Sequence, residues 1–226
     1  MILAIETSTP DASVALFDSV REEVIWQSQF TSDRAHNAVI FQPLEEALEV
    51  ASDLEAVVVG IGPGSYSGVR VGIAVANGVS LARGVPCFGI SSLAALPTVD
   101  AAKDYRVIGD ARRGEFFLIE VCGRKPQGEA AMMSAERLAK QLKEADDELA
   151  IYTLEQSVVA RFGEIEVQLL RPTAVELARR ASMMAIQERV RLANLPLEPI
   201  YLRAPHITVA KKKKGCSSFG GEVEKE

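Results

Sequence analysis

Two carboxylates and one glycine-rich loop are the parts of this chain whose types and spacing suit chemistry. Glu6 closes the apolar run "ILAIE" and is followed by Thr7, Ser8, Thr9 and Pro10. Asp110 closes "YRVIGD" and precedes a turn at Arg112-Arg113-Gly114. A carboxylate at the end of a strand that opens on a cleft can hold a hydrated Mg²⁺, because hard cations take oxygen ligands. Glu6, Thr7, Ser8 and Asp110 therefore form a candidate nucleotide cleft. A plainer reading stays open, in which each acid only organises its own polar turn.

The glycine loop is "GIGPGSYSGVRVG", Gly60 to Gly72, between an apolar run and a helix-like run. A P-loop needs GxxxxGK[ST]; here five residues, not four, separate Gly62 from Gly68, and Val69 stands where the lysine belongs. The dinucleotide pattern GxGxxG fails at Ser65, and Pro63 removes a backbone N–H that an anion cradle uses. The loop reads as a tight strand-to-helix turn, with a working phosphate site as the alternative.

Other chemistries have less support. His36 and His206 are the two histidines and form neither HxxxH nor HExxH. Cys87, Cys122 and Cys216 are far apart with no CxxC pair, which argues against a disulfide framework or a cysteine zinc site. No GxSxG elbow is present. The net charge of −6 speaks against a stand-alone nucleic-acid binder. Lys211 to Lys214 read first as a solvated run, and contact with phosphates is the alternative. With no signal-peptide pattern and no uncharged apolar stretch of spanning length, the expectation is a cytoplasmic protein without a membrane segment.

The elements that must position these residues follow from periodicity. "MILAIE", "ASVALFD" and "EEVIWQSQF" read as strands, and Asp33 to Ala51 has helical spacing with Pro43 expected to kink or divide it. "LEAVVVGIG" reads as a buried strand, Val69 to Arg83 as a helix stopped by Gly84, and "VPCFGI" as a further strand. "YRVIGDA" and "GEFFLIEV" form a hairpin, and "ELAIYT" and "EIEVQLL" are later strands. Helices are expected near Ala135 to Glu144, Leu154 to Phe162 and Ala174 to Leu192, the last opened by a capping box of Thr173 and Glu176. The second helix, Val69 to Arg83, is small or apolar nearly all round, which suggests burial on more than one side or a partner on one of them.

"LAIETSTPDASVALF" and "VIGDARRGEFFLIEV" repeat one pattern of strand, acid, polar turn and strand. That echo predicts an α/β, actin-like (ASKHA, ribonuclease H-like) duplicated fold with two lobes facing a cleft. The expected division is an N-terminal lobe at 1–98, a C-terminal lobe at 99–204 and a flexible charged tail at 205–226.

"ILAIETSTPDASVAL", "RAHNAVIFQPLEEAL", "GIGPGSYSGVRVGIAVANGVSLARGVPCFGISSLAAL", "DARRGEFF" and "PIYLR" closely resemble the bacterial TsaB (YeaZ) family. The resemblance covers most of residues 1–120 and returns near 196–203. It implies the actin-like fold and a scaffold role in forming N6-threonylcarbamoyladenosine beside the tRNA anticodon. Its implied partners are the transferase TsaD, the ATPase TsaE or a second copy of the chain, with tRNA reached through the complex. Transferase relatives carry a metal-binding HxxxH where this chain has Ser92 and Leu96, and imidazole ligands are absent from those positions. The resemblance thus implies no catalytic residue, no metal and at most a vestigial ATP/Mg²⁺ site. It places the dimer surface on the first two helices, with His36, Val39, Ile40, Pro43, Leu44, Arg70, Ile73, Ala74 and Asn77 as contact candidates. Two other readings remain: an ATP-dependent small-molecule phosphotransferase of the same superfamily, and a metallopeptidase.

Overall fold

The structure, a computed structural model, describes residues 1–31, 39–98, 104–145 and 148–202. Strands β1 (Ile2–Glu6), β2 (Asp11–Asp18) and β3 (Glu23–Thr31) form an antiparallel meander, and β4 (Ala56–Gly60) and β5 (Cys87–Ile90) extend the sheet in parallel on the other side of β1. Its order is β3-β2-β1-β4-β5. The second sheet repeats this plan. β6 (Tyr105–Asp110), β7 (Glu115–Cys122) and β8 (Lys125–Ser134) form the meander, β9 (Ala150–Thr153) and β10 (Val167–Leu169) run parallel, and the order is β10-β9-β6-β7-β8. The chain has the duplicated, two-lobed actin-like α/β fold expected from its sequence.

Both faces of the first sheet are covered, which is why its central strands are apolar without interruption. Ile2, Ala4, Ala56 and Val58 face one core, and Leu3, Ile5, Val57 and Val59 face the other. The second core lies under helices α1 (Phe41–Val50) and α2 (Tyr66–Arg83). The first lies under α5 (Ala174–Ser182), with α6 (Ile186–Ala193) beside it. In the second sheet, α3 (Ala135–Lys143) and α4 (Gln156–Arg161) cover one face. Leu93 and Leu96, from the connection between the lobes, pack on the other.

Residues 99–204, expected as the second lobe, therefore supply a helix pair to the first sheet. Their return is held by polar contacts: Thr173 N–H donates to Ala95 O, Ala174 N–H donates to Ser13 Oγ at 2.9 Å, and Arg171 pairs with Asp11.

Several expectations need correction. The helix at Ala174 to Leu192 is broken at Met183–Ala185, where the Arg189 guanidinium donates to the carbonyls of Ser182 and Met184. Thr173 Oγ1 accepts from Glu176 N–H at 3.2 Å, but the Glu176 carboxylate turns to Arg124 and Arg179, so only half of the capping box forms. Helix α2 starts at Tyr66, three residues before Val69, because Ser65 Oγ caps Gly68 N–H. The run around Pro43 divides at Ile40, putting Pro43 in the first turn of α1, where its missing N–H leaves no bond unmade. Strand β8 was not expected. Its "KPQGEA" start reads as turn chemistry, yet a two-residue turn at Gly123 and Arg124, with φ of 54° and 59°, aligns it on β7. His36, the earlier part of the first helical run, His206, Cys216 and the 205–226 tail lie outside the described residues. No helix among the described residues is long and apolar enough to cross a membrane.

Candidate functional site

The two acids sit at equivalent places, each at the end of a lobe's first strand, and the structure treats them differently. Glu6 is fully buried. Its Oε1 accepts the Ser8 N–H at 2.7 Å, while Oε2 and the Ser8 hydroxyl have no hydrogen-bond partner among the described residues. Burial pushes the Glu6 pKa up, and the polar groups of Ser8, Ser92 and Thr7 around the carboxyl oppose this without overcoming it. A Cβ on Gly60 would collide with Glu6 Oε2 and Ser92 Oγ, so this glycine leaves room for a carboxyl under the sheet end.

The glycine loop closes over that turn. Ser65 N–H donates to Ser8 O at 2.7 Å, and Thr7 Oγ1 donates to Gly68 O at 2.8 Å. A Cβ on Gly64 would run into Ser8 O, and one on Gly68 into Thr7 O. The loop's glycines are therefore required by backbone-to-backbone contact with the Thr7–Ser8 turn. The N–H groups of Gly62, Ser65 and Gly68 and the carbonyls of Gly62, Ser65 and Gly68 are committed to the protein, in keeping with the turn reading.

Asp110 stays near solvent, with 30% of its side chain exposed. Its Oδ1 accepts from Arg112 N–H at 2.6 Å and its Oδ2 pairs with the Arg112 guanidinium at 3.2 Å. Between the lobes lies a cleft of about 580 Å³. Ser8, Pro10 and Pro63 to Tyr66 line one wall; Asp110 to Arg112, Leu154 and Glu155 line the other. The segment Ile200–Leu202 crosses it. Ile200 N–H donates to Ile61 O, Tyr201 stacks on Tyr66 with centroids 5.2 Å apart, and Arg70 Nε donates to Tyr201 Oη at 3.0 Å.

The expectation that both carboxylates point into the cleft is corrected: Asp110 lines it, and Glu6 does not. A hydrated Mg²⁺ does not fit at Glu6, because one oxygen is taken by Ser8 and the other is walled in by Gly60 and Ser92. Triphosphate oxygens at the cleft would face Asp110 and a half-buried Glu155, whose pKa burial raises. Pro10 and Pro63 bring no N–H to that wall. Sequence reasoning missed Glu155, Tyr66 and Tyr201; "PIYLR" was visible, but nothing local says that it spans two lobes.

Of the nine interface candidates His36 lies outside the described residues, and the other eight divide. Ile40, Pro43, Leu44 and Ile73 are buried, and Ile40, Leu44 and Ile73 belong to the core under α1 and α2, so they serve the fold of their own lobe. Val39, Arg70, Ala74 and Asn77 are exposed. Ala74 from this exposed set and the buried Leu44 line a groove of about 370 Å³ between α1 and α2, with Phe41, Leu48, Val75, Gly78 and Ala82. Arg70 is engaged by Tyr66 and Tyr201, and Asn77 faces a different groove beside β5. The signal for the α1–α2 groove was the i, i+4 row Ala74-Gly78-Ala82; the parallel row through Gly72 and Ala76 is buried.

Two ribonuclease H-like lobes around a cleft, with an open apolar groove on the first, place the molecule in the actin-like class. The model of the family described as "TsaD: tRNA N6-adenosine threonylcarbamoyltransferase" matches residues 23–186. The protein named tRNA threonylcarbamoyladenosine biosynthesis protein TsaB from Escherichia coli (strain K12) is 28% identical, over 89% of this chain and 94% of its own length. An uncharacterized protein of Mycobacterium tuberculosis (strain H37Rv) is 33% identical over 60% of this chain; the match spans 66% of that protein's length. The solved structure of YeaZ from Pseudomonas aeruginosa superposes with a TM-score of 0.70 at 25% identity, covering 88% of this chain and 98% of that one. The chain belongs to the TsaD family, in its TsaB (YeaZ) branch.

Proposed function

We propose that this chain is a non-catalytic scaffold subunit in the synthesis of N6-threonylcarbamoyladenosine on tRNA. It acts in the cytoplasm through a heterodimer with a TsaD-type transferase, together with a TsaE-type ATPase, and meets tRNA through that complex. The observation that carries this reading is kinship along nearly the whole chain with the E. coli protein named for that biosynthesis. Two features support it. Ser92 and Leu96 offer no imidazole where the resemblance places a metal-binding pair, and Ser92 is fully buried against the glycine loop. The α1–α2 groove offers an apolar surface to helices of a partner, or of a second copy, packed ridge into groove. The phosphotransferase reading draws no support from Glu6, and we assign the cleft no nucleotide chemistry.

Reconstitution with TsaD and TsaE from the same cell tests the proposal. The chain alone should transfer nothing, and its omission should abolish transfer. Ala74→Glu puts a charge into the groove from an exposed position, so it should break co-purification with TsaD and lower transfer at least tenfold. The melting temperature of the variant should stay within about 2 °C of the parent. Full activity of TsaD and TsaE without the chain would remove the proposal.

A further inference from the structure

Among the described residues the chain passes between the two lobes at three places, and the third is built unlike the others. At the first, Ala94 and Leu96 are buried, and the buried Arg124 guanidinium donates to both of their carbonyls, at 3.3 and 3.4 Å. At the second, the buried Ala174 donates its N–H to Ser13 Oγ, and Thr173 N–H donates to Ala95 O. The third, residues 197–202, starts at Leu197, packed on the first lobe's core under α1 and α2. It ends at Leu202, packed on the core of the second sheet. On the way it lines the cleft, with Ile200 38% and Tyr201 37% exposed.

The third crossing is fastened to the first lobe from the solvent side. Ile200 N–H donates to Ile61 O at 2.8 Å. The Tyr201 ring stacks on Tyr66 with centroids 5.2 Å apart, and its hydroxyl accepts from Arg70 Nε at 3.0 Å. The Arg70 guanidinium also lies over the Tyr66 ring, 4.4 Å from its centroid. Tyr66 and Arg70 belong to the first turns of α2, and both are exposed. Stacked rings and a cation over a ring are each modest contacts at an exposed site, so this fastening can open without unfolding either lobe. Lobes that share a cleft move against one another unless contacts across it hold them.

We propose that residues 197–202 are a strap that holds the two lobes at one angle, and that Tyr66 and Arg70 are its releasable catch. With the catch closed, Tyr201 stays on α2 and the cleft keeps its volume of about 580 Å³. With the catch open, the lobes swing about the two buried crossings, and the wall of Asp110 and Glu155 parts from the wall of Pro63 and Tyr66. Arg70 stands one turn before Ala74 in the row that continues through Gly78 and Ala82 along the α1–α2 groove. The catch is therefore reached from outside the cleft, at the end of that groove. The strap is independent of the scaffold role proposed above.

Hydrogen exchange read by mass spectrometry tests the strap on the full chain and on Tyr201→Ala, Arg70→Ala and Tyr201→Phe. Exchange in the peptide that carries the Ile200 amide should rise at least about tenfold in Tyr201→Ala and by less in Arg70→Ala. Tyr201→Phe keeps the stack and loses the bond to Arg70, so it should recover part of the protection. Amides of β1 and β6 are the internal reference and should stay within about twofold of the parent. Small-angle scattering should give Tyr201→Ala a larger radius of gyration than the parent. Equal exchange at Ile200 in all four proteins would overturn the catch. A rise at Ile200 matched in β1 and β6 would mean that Tyr201 serves only global stability, and would overturn it too. A rise confined to Ile200, with unchanged scattering, would overturn the hold on the angle between the lobes.

Discussion

The turn after β1 and the turn after β6 occupy the same place in two copies of one topology, yet their carboxylates live in opposite environments. Glu6 is walled in by Gly60 and Ser92 under the Thr7–Ser8 turn that the glycine loop covers, keeps one oxygen without a partner among the described residues and has a raised pKa. Asp110 heads an open turn in which Arg112, Arg113 and Gly114 all have positive φ, and it is neutralised by Arg112. What differs is the covering element. The glycine loop and the start of α2 close on the first turn. The corresponding start of α4, at Glu155–Gln156, has no such loop and leaves the second turn exposed. Strand topology copies the position of an acid; the packing above it decides whether that acid is buried away from water or open to it.

The largest expected break in this comparison is at the glycines. Gly68→Ala drives a Cβ into the Thr7 carbonyl, with the Ser65 side chain also close, and should cost more than about 3 kcal/mol or prevent folding. Gly114→Ala meets open space and only the penalty of φ 78°, about 1 kcal/mol, or roughly 2–4 °C in a chain of this size. Scanning calorimetry of the pair should separate them clearly; equal losses would show that the loop does not depend on close backbone approach.

An intermediate effect is expected from Glu6→Gln. Because burial raises the folded-state pKa, the wild-type contribution of Glu6 is full below the unfolded value of 4.5 and is lost as pH rises through the folded value. The variant escapes that loss while still accepting the Ser8 N–H. It should therefore melt close to wild type in acid and increasingly above it toward alkaline pH. Melting curves across pH 4 to 9 that stay parallel would show that Glu6 is not held neutral by burial.

The smallest effect belongs to the partner turn. Asp110→Asn removes a solvent-screened pair and should change stability by less than about 1 kcal/mol, with the difference shrinking further in 1 M salt. A loss as large as that of a core residue would mean that the second turn is as constrained as the first.

The meanders, the parallel strands and the duplication were legible because strand burial writes itself into alternation and apolar runs. Elements set by long-range contacts were not. Strand β8 hides behind Pro126, Gln127 and Gly128, and its pairing depends on the turn at Gly123–Arg124. The break between α5 and α6 depends on Arg189 reaching back to Ser182 and Met184. Ile73 and Ile40 carried the same apolar signal as Phe41 and Ala74; only their packing on Leu3, Val57 and Val59 distinguishes core from groove.

By itself the sequence determined the class of fold, the family and the absence of a P-loop or paired-histidine motif, because these depend on residue type and local spacing. The tertiary structure alone decided that Glu6 is secluded, that the glycines serve a backbone contact and that α5 returns to the first sheet. Each of these depends on which distant segment covers a residue, and so on desolvation and charge pairing that no local window contains.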